Sequence, residues 1–289
     1  MKVLMITGDK SFGPGHPRFE LQKSSVEELA VIYWGRGALW PKIPKGQFDV
    51  VTVQDPFWRG LFAWVVARRL GVKLNVQVHT DLAVQSLLRR VLAQIVLRHA
   101  DSVRVVSEKI KNQIHVRARV SVLPIFVDIE RFRTIERHPE PNTLLWVGRF
   151  EQEKDPFLAL DIAARVPGVK LIMLGKGSLE ALLKQKGGAE FPGWQDPAPY
   201  FARASVVLCT SRHESWGASI IEALATGVPV VAPDVGIAKE AGAMVVPRAE
   251  LARAVIEVLK SGARGELKLS VLSAEEWAQK WKQSLEVTS

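Results

Sequence analysis

The sequence predicts an α/β protein of two domains, each built on a parallel β-sheet covered by helices. The chain has 289 residues, about twice the length of an average domain. Short β-branched runs alternate with amphipathic segments along it, which is typical of a parallel sheet buried on both faces. This alternation is interrupted once, by a charged stretch at 126–142 that contains two prolines near its end.

The individual elements follow from their apolar patterns. The strand candidates are 2–7, 50–53, 73–79, 102–106, 120–124, 143–147, 169–174, 205–209, 230–232 and 244–246. The helix candidates are 26–32, 61–70, 82–98, 157–165, 219–225 and 251–260. A helical wheel for 82–98 places six apolar side chains on one side, namely Val84, Leu87, Leu88, Val91, Leu92 and Ile95.

The interruption sets the predicted domain organisation. An N-terminal domain covers 1–130, a linker covers 131–142, a C-terminal domain covers 143–272, and a last helical segment covers 273–289. Ser273 and Glu276 form a capping-box pattern at the start of that helix.

Composition excludes several classes of protein. With 47% hydrophobic and 24% charged residues, the chain is not intrinsically disordered. A single cysteine, Cys209, excludes an intramolecular disulfide framework and predicts a reducing cytosol. The longest purely apolar run, 61–67, is far shorter than the roughly 18 residues of a membrane span. The sequence therefore predicts a cytoplasmic protein, or one that lies on a membrane without crossing it.

The candidate site residues cluster at the ends of strands in the C-terminal half. Two cations, Arg149 and Lys154, follow one strand, and two carboxylates, Glu214 and Glu222, flank the start of a later helix near Gly217. Ligands of open α/β sheets bind at the carboxyl ends of strands, and cations together with a helix N-terminus suit a diphosphate. The chain has no GxxxxGK[ST] loop, no GxSxG elbow and no Asp-x-Asp pair, which argues against ATPases and many hydrolases.

The segments VGRFEQEKD, LIMLGKGS and ESWGASIIEALATGVPVVAP, in that order, resemble the retaining glycosyltransferases of family 4. The resemblance implies the GT-B fold, in which two Rossmann-like domains face each other across a cleft and the C-terminal helix crosses back to the first domain. It also implies transfer of a sugar from a UDP- or GDP-sugar to a glycan or lipid-linked acceptor, with retention of anomeric configuration. No cofactor and no metal are expected.

The resemblance assigns roles to individual residues. Arg149 and Lys154 would neutralise the donor diphosphate, Glu214 would contact the donor sugar, and Glu222 would accept hydrogen bonds from the ribose. His79 would lie near the sugar. The expected catalytic group consists of Glu214, Arg149, Lys154 and His79. The other expected donor contacts are Gly148, Gly175, Gly177, Gly193, Trp194, Ser215, Trp216 and Gly217. Gly13 and Gly15 would supply a glycine-rich loop for acceptor or phosphate.

Simpler readings of these residues stay open. Glu222 has the spacing of a capping-box partner of Ser219. Arg149 and Lys154 have the pattern of surface cations that balance neighbouring acids, and His79 that of a packed histidine at a strand end. For the whole chain, the alternatives are a nucleotide-sugar epimerase, a glycoside phosphorylase, or a non-catalytic nucleotide-sugar-binding subunit.

The net charge of +9 is unevenly distributed. Residues 1–133 contain 21 basic and 11 acidic side chains, whereas the remainder contains 18 and 19. The surplus fits a solvated face, or attraction to anionic lipid headgroups and polyprenyl-phosphate-linked acceptors at the inner face of the membrane. The chain lacks a nucleic-acid-binding motif, so no nucleic-acid partner is expected. The apolar candidates for membrane docking are Trp58, Phe62 and Trp64.

Overall fold

The computed structural model describes residues 1–35 and 41–286, which divide into two compact units. Unit 1 comprises Met1–Phe126 together with the segment that begins at Leu272, and unit 2 comprises Val127–Val271. The units therefore separate after Phe126, four residues before the predicted end of the first domain. No helix within the described ranges is long and apolar enough to cross a membrane.

The described residues of unit 1 form one parallel sheet of six strands. The strands are β1 (Lys2–Thr7), β2 (Glu28–Tyr33), β3 (Val50–Val53), β4 (Lys73–Val78), β5 (Ser102–Val105) and β6 (Arg119–Val122), in the order β2-β1-β3-β4-β5-β6. The helices are α1 (Pro17–Ser24), α2 (Trp58–Leu70), α3 (Leu87–Arg98) and α4 (Glu108–Lys111), and the C-terminal helix Ala274–Leu285 also belongs to this unit.

Unit 2 contains a second six-stranded parallel sheet. Its strands are β7 (Thr143–Val147), β8 (Lys170–Leu174), β9 (Glu190–Gly193), β10 (Val206–Leu208), β11 (Val230–Ala232) and β12 (Met244–Val245). Its helices are α5 (Ile129–Arg133), α6 (Pro156–Ala163), α7 (Glu180–Lys186), α8 (Ala198–Arg203), α9 (Ala218–Ala225), α10 (Ala238–Ala241) and α11 (Leu251–Ser261). The strand order β9-β8-β7-β10-β11-β12 reverses direction between β7 and β10, which is where ligands bind in such sheets.

Both faces of each sheet are buried, as the continuous apolar strands predict. In β1, Leu4 and Ile6 contribute to one hydrophobic cluster, while Val3 and Met5 contribute to another. This alternation follows from the two-residue period of a strand. The two predicted parallel sheets, each covered by helices, are confirmed.

The C-terminal helix α12 (Ala274–Leu285) packs within unit 1. Trp277 and Trp281 are buried with Val3 and Met5, and the indole Nε1 of Trp277 donates to the carbonyl of Pro124 at 2.8 Å. The helix begins with the predicted capping box, in which Ser273 and Glu276 exchange hydrogen bonds.

One predicted helix is wrong. The pattern of 26–32 predicts a helix, but Glu28–Tyr33 forms the edge strand β2, paired in parallel with β1. Glu, Leu and Ala favour a helix here, whereas the β-branched and aromatic residues that follow favour a strand. Pairing with β1 and burial of Leu29 and Ile32 decide the outcome.

The predicted linker is partly structured. Its first residues belong to α5, which packs against α9 within unit 2. Asp128 caps this helix by accepting a hydrogen bond from the backbone N–H of Arg131 at 3.3 Å. The charged stretch therefore contributes a helix to unit 2 rather than a plain connection.

Helix α3 presents a different side to the core from the one that the wheel suggests. Of the six apolar side chains on that side, only Leu92 is buried. The buried side instead contains Leu92, Ala93, Val96 and Leu97. Among the predicted docking residues, Phe62 lies in the core and Trp64 is half-buried and stacks on His99, so only Trp58 is exposed.

Candidate functional site

Two loops meet at the point where the strand order of unit 2 reverses. The first follows β7 and runs from Gly148 to Lys154, and the second follows β10 and runs from Cys209 to Glu214. Because β7 and β10 are adjacent and parallel, both loops leave the same edge of the sheet. The sequence-predicted residues Lys154 and Glu214 therefore come from neighbouring strand ends.

Lys154 and Glu214 form an ion pair at the centre of this edge. The ammonium Nζ of Lys154 lies 2.5 Å from Oε1 of Glu214, and the hydroxyl of Ser211 donates to the same oxygen at 2.7 Å. The two charged side chains are only 18% and 12% exposed, so water screens their charges incompletely. Lys154 retains N–H donors for a further acceptor, and Glu214 retains a second oxygen for a hydroxyl.

A second cluster of charges fixes both loops. Asp155, directly after Lys154, has a left-handed φ of 46° and accepts from Arg248 at 2.5 Å and from Arg212 at 2.9 Å. Arg248 also donates to the carbonyls of Thr210 and Ser211, at 2.6 and 3.1 Å. The guanidinium thus ties the loop that carries Lys154 to the loop that carries Glu214.

Thr210 provides another connection between the loops. The indole of Trp146, on β7, donates to the Thr210 hydroxyl at 2.8 Å. The single proton of that hydroxyl is shared between the carbonyl oxygens of Lys154 and Asp155, each 2.9 Å away. Thr210 is fully buried, so these hydrogen bonds satisfy polar groups that water does not reach.

Arg149 is placed differently from Lys154. Its side chain is 65% exposed and forms a salt bridge with Glu153, one turn along the loop. The structure therefore joins Lys154 to Glu214 directly and pairs Arg149 with a different carboxylate. In an exposed pair the guanidinium exchanges partners at little cost in free energy.

Gly175 and Gly177 allow close packing of backbone against backbone. A Cβ at Gly175 would lie 1.8 Å from the carbonyl oxygen of Gly148, and one at Gly177 would lie 2.4 Å from that of Phe150. The loop after β8 is consequently pressed against the loop after β7. Gly148 itself donates to the carbonyl of Leu174 at 3.0 Å.

Gly193 is the last residue of β9, and Trp194 follows it. Gly193 has φ of 87°, and its carbonyl accepts from the backbone N–H of Gly175 at 3.0 Å. Trp194 is 67% exposed, so it is not a core residue. An exposed indole beside a positive-φ glycine is free to stack on a planar ligand.

Helix α9 begins beside Glu214. Gly217 is its N-cap with φ of 106°, and no side chain caps the helix. The alternative in which Ser219 and Glu222 form a capping box is therefore wrong, because Ser219 lies inside the helix. Ser215 and Trp216 are half-buried, and Trp216 packs against the apolar cluster of Val127, Ile129 and Ile221.

Glu222 is half-buried on the following turn of α9. Burial raises the pKa of its carboxyl from the usual 4.5 to about 7, while the attraction of Arg131 opposes this shift. Arg131 lies on α5 and forms an ion pair with Asp196. Glu222 therefore exchanges a proton near neutral pH, unlike an ordinary surface glutamate.

His79 follows β4 in unit 1, next to a buried arginine. Nη1 of Arg104 lies 3.5 Å from Nε2 of His79. Burial, together with the charges of Arg104 and Arg18, holds the pKa of His79 well below its usual range. A guanidinium only donates, so the neutral imidazole turns the lone pair of Nε2 towards Arg104.

The loop after β1 contains Gly13 and Gly15. A Cβ at either position would have no heavy atom within 4 Å, although Gly15 has φ of 85°. The backbone N–H of Gly15 donates to the carboxylate of Glu20 at 2.8 Å. Neither glycine is required here by close packing, which differs from the situation at Gly175 and Gly177.

Sequence reasoning missed Asp155, Arg248 and Gly236. A Cβ at Gly236 would lie 2.3 Å from the carbonyl oxygen of Trp216, so this glycine lets a further loop approach the Glu214 segment. Asp155 adjoins a predicted site residue, which is a usable signal. Arg248 lies 93 residues further along the chain and belongs to no motif. Within residues 1–35 and 41–286, no three His, Cys, Asp or Glu side chains are grouped as a metal site.

Two family models match the chain. The model described as Glycosyl transferases group 1 matches residues 141–261, and the model described as Glycosyltransferase Family 4 matches residues 11–131. Together they account for most of both units.

Curated relatives include D-inositol 3-phosphate glycosyltransferases. The protein from Mycobacterium marinum is 29% identical over 66% of this chain and 49% of its own length. The protein from Mycobacterium tuberculosis is 28% identical over 66% of this chain and 48% of its own length. The chain thus spans about half the length of these curated relatives.

Solved structures share the fold. Anabaena Alr3699/HepE in complex with UDP-glucose aligns with a TM-score of 0.73 at 17% identity, over 99% of this chain and 96% of that chain. Sucrose-phosphate synthase from Thermosynechococcus elongatus aligns with a TM-score of 0.72 at 17% identity, over 99% and 95%. By its family models and its two parallel sheets, the chain belongs to the family-4 glycosyltransferases and has the GT-B fold.

Proposed function

We propose that this chain transfers a sugar from a nucleotide-sugar donor, a UDP- or GDP-sugar, to a glycan or lipid-linked acceptor. The observation that carries the proposal is the Lys154–Glu214 pair at the strand-order reversal of unit 2. The site joins a cation for phosphate to a carboxylate for sugar hydroxyls. The Anabaena structure, which contains UDP-glucose, and the glycosyltransferase relatives support the same reading.

The donor diphosphate would bind beside Lys154. Its ammonium has three donors and uses one on Glu214, so it reaches a phosphate oxygen without losing that partner. Arg149 would leave Glu153 and supply a second cation. The uncapped N-terminus of α9, with the amides of Ser215, Trp216 and Gly217, would supply N–H donors.

The donor's sugar and nucleoside would extend to either side. Glu214 would accept from hydroxyls of the transferred sugar through the oxygen that Lys154 leaves free. Glu222 would accept from the ribose, which is favoured as its carboxyl ionises above a pH of about 7. Trp194, beside Gly193, would stack on the base.

We further propose that transfer retains anomeric configuration and needs neither a metal ion nor a cofactor. The bond from the anomeric carbon to the diphosphate oxygen breaks, and the acceptor oxygen bonds to the same face of that carbon. The acceptor's proton passes to the departing diphosphate oxygen. Lys154 and Arg149 would stabilise the negative charge that develops on the leaving group. His79, being neutral, would act as a hydrogen-bonding group near the sugar.

A thermal-shift screen of UDP-, GDP- and ADP-sugars tests donor binding, since a ligand of the folded state raises the melting temperature with concentration. We expect a UDP- or GDP-sugar to stabilise the chain and Lys154→Ala to remove the effect. Failure of every nucleotide sugar to stabilise the chain would contradict the proposal.

Product analysis with the selected donor tests the reaction. We expect the release of nucleoside diphosphate to depend on a saccharide or lipid-linked acceptor and to be unchanged by EDTA. The glycosidic linkage of the product should have the same anomeric configuration, axial or equatorial, as the sugar in the donor. Conversion of the donor sugar without acceptor would indicate an epimerase. Release of sugar phosphate from a glycoside and inorganic phosphate, with no nucleotide sugar present, would indicate a phosphorylase. Binding without turnover for every acceptor would indicate a non-catalytic subunit.

A further inference from the structure

Helix α3 of unit 1 carries two apolar sides, of which only one is covered. The covered side packs in the core of unit 1. On the other side, Leu87, Leu88, Val91 and Ile95 are 75%, 61%, 48% and 39% exposed. Their spacing of three and four residues aligns them in one stripe along the helix. With Val84, just before the helix, they form what we call the α3 stripe.

The α3 stripe is unusual for this molecule. Nine large apolar side chains are exposed among the residues that the structure describes, and five of them belong to the stripe. Contiguous apolar surface of this kind marks an interaction site, whereas single exposed residues do not. An open groove of about 440 Å³ continues it, lined by Leu82, Leu87, Arg90, Val91, Gln94 and Gln113.

Every charged side chain on helix α3 itself is positive. Helix α3 contains Arg89, Arg90 and Arg98 and no acidic residue. Arg90 and Arg98 are exposed, and their positions on the helix border the stripe. Lys109, whose side chain is 64% exposed, pairs with Asp81 beside the groove at 3.3 Å.

The same asymmetry holds for whole units. Unit 1 contains 21 basic and 12 acidic side chains, whereas unit 2 contains 18 of each. The net charge of the chain therefore belongs to the unit that carries the α3 stripe.

We propose that the α3 stripe docks unit 1 on an anionic lipid bilayer. The helix would lie in the plane of the interface, with its leucines, valines and isoleucine among the acyl chains and Arg90 and Arg98 at the headgroups. This inference goes beyond the proposed reaction and does not depend on it.

Charge favours a bilayer over other occupants. Two copies of this chain joined stripe to stripe would bring the same arginines together without acidic partners from α3. Nucleic acid would meet the arginines but offers no apolar surface for the side chains between them. An anionic bilayer satisfies both, because headgroups attract the basic residues and the acyl region accepts the apolar ones.

Co-sedimentation of the full chain with vesicles tests the proposal. One set of vesicles contains phosphatidylcholine alone and the other about 30% phosphatidylglycerol, at low salt, where surface charges are least screened. The double variant Leu87→Gln/Val91→Gln removes apolar surface, with Leu182→Gln on the exposed side of α7 as its control. The double variant Arg90→Glu/Arg98→Glu reverses charge, with Arg253→Glu/Lys260→Glu on α11 as its control. All these positions are exposed, so thermal melts should stay close to wild type.

We expect the wild-type chain to bind the anionic vesicles and to bind pure phosphatidylcholine far more weakly. The leucine–valine variant should weaken binding about tenfold or more. The arginine variant should weaken it by about fivefold per position or more, and the controls by less than about twofold. Equal binding of the two lipids, absence of binding, or controls as weak as the test variants would overturn the proposal. Self-association in sedimentation equilibrium that Leu87→Gln/Val91→Gln abolishes would assign the stripe to a second copy instead.

Discussion

At the carboxyl edge of the unit 2 sheet, Lys154 faces the carboxylate of Glu214, while Asp155 faces two guanidinium groups. At the corresponding edge of the unit 1 sheet, Arg104 is buried among neutral acceptors. It donates to the carbonyls of Leu123 and Pro124 and to Gln77. Two six-stranded parallel sheets thus place their cations in opposite electrostatic environments, one beside carboxylates and the other among neutral acceptors.

This difference has electrostatic consequences. Burial without a carboxylate, together with Arg18, lowers the pKa of Arg104 to about 9. The same positive field helps to keep His79 neutral. In unit 2, by contrast, Lys154 keeps its counter-charge within hydrogen-bonding distance. Unit 2 thus carries its cation on a loop after a strand, next to a carboxylate, whereas unit 1 carries Arg104 on strand β5 itself, among neutral acceptors.

The strongest test of this comparison is to remove one member of the Lys154–Glu214 pair in unit 2. With the donor and acceptor identified, Lys154→Ala and Glu214→Ala should each lower kcat about 100- to 1000-fold, since each removes a preorganised charge at the reacting centre. Lys184→Ala, which removes the lysine of an exposed pair on α7, is the matched control. Steady-state release of nucleoside diphosphate measures the effect, and circular dichroism checks the fold. Near-normal rates for either test variant would refute its assignment.

A second test compares the glycines of the two edges. Gly175→Ala should lower the free energy of unfolding by about 2–4 kcal/mol, because the added methyl group would overlap the carbonyl of Gly148. Gly13→Ala in unit 1, where the methyl group meets open space, should change it by less than about 0.5 kcal/mol. Urea titrations of both variants give the comparison. Equal changes in the free energy of unfolding would contradict this prediction, because the loop after β7 would then move to accommodate the added methyl group.

The sequence identifies the residues of these two tests, because each belongs to a pattern of neighbouring residues in the chain. The placement of Arg149, Lys154 and Glu214 after strands of unit 2 is predictable, because each follows an apolar run of the kind that forms a strand. Strand ends are where such sheets bind ligands. The capping box of α12 is predictable because it needs only four consecutive residues.

The features that sequence reasoning missed depend on contacts between distant residues. Arg248 reaches Asp155 across 93 positions, and no spacing rule relates them. Segment Glu28–Tyr33 becomes a strand through pairing with β1, which outweighs its mixed local preference. The sequence also does not predict which side of α3 is exposed. The helix has apolar residues on two sides, and their pattern does not show which side packs against the sheet.

The smallest expected effect concerns Glu222. Its carboxyl binds a proton more tightly in the folded state than in the unfolded chain, so this contribution to stability is lost as pH rises from about 4.5 through about 7. Glu222→Gln should therefore match the wild type near pH 4 and exceed its free energy of unfolding by on the order of 2 kcal/mol near pH 8. Glu257→Gln, on the exposed side of α11, controls for the loss of a charge. Parallel pH profiles for wild type and Glu222→Gln would contradict the proton-binding role.

The placement of α12 sets an order for folding during synthesis. Unit 2 is continuous in the chain, but unit 1 is not, since residues after Leu272 return to it. When the ribosome has released Met1–Phe126, one face of their sheet still lacks Trp277 and Trp281. All of unit 2 is synthesised before those tryptophans. The first unit to be made is therefore the last to be finished, and until then its uncovered face is open to chaperones and to aggregation.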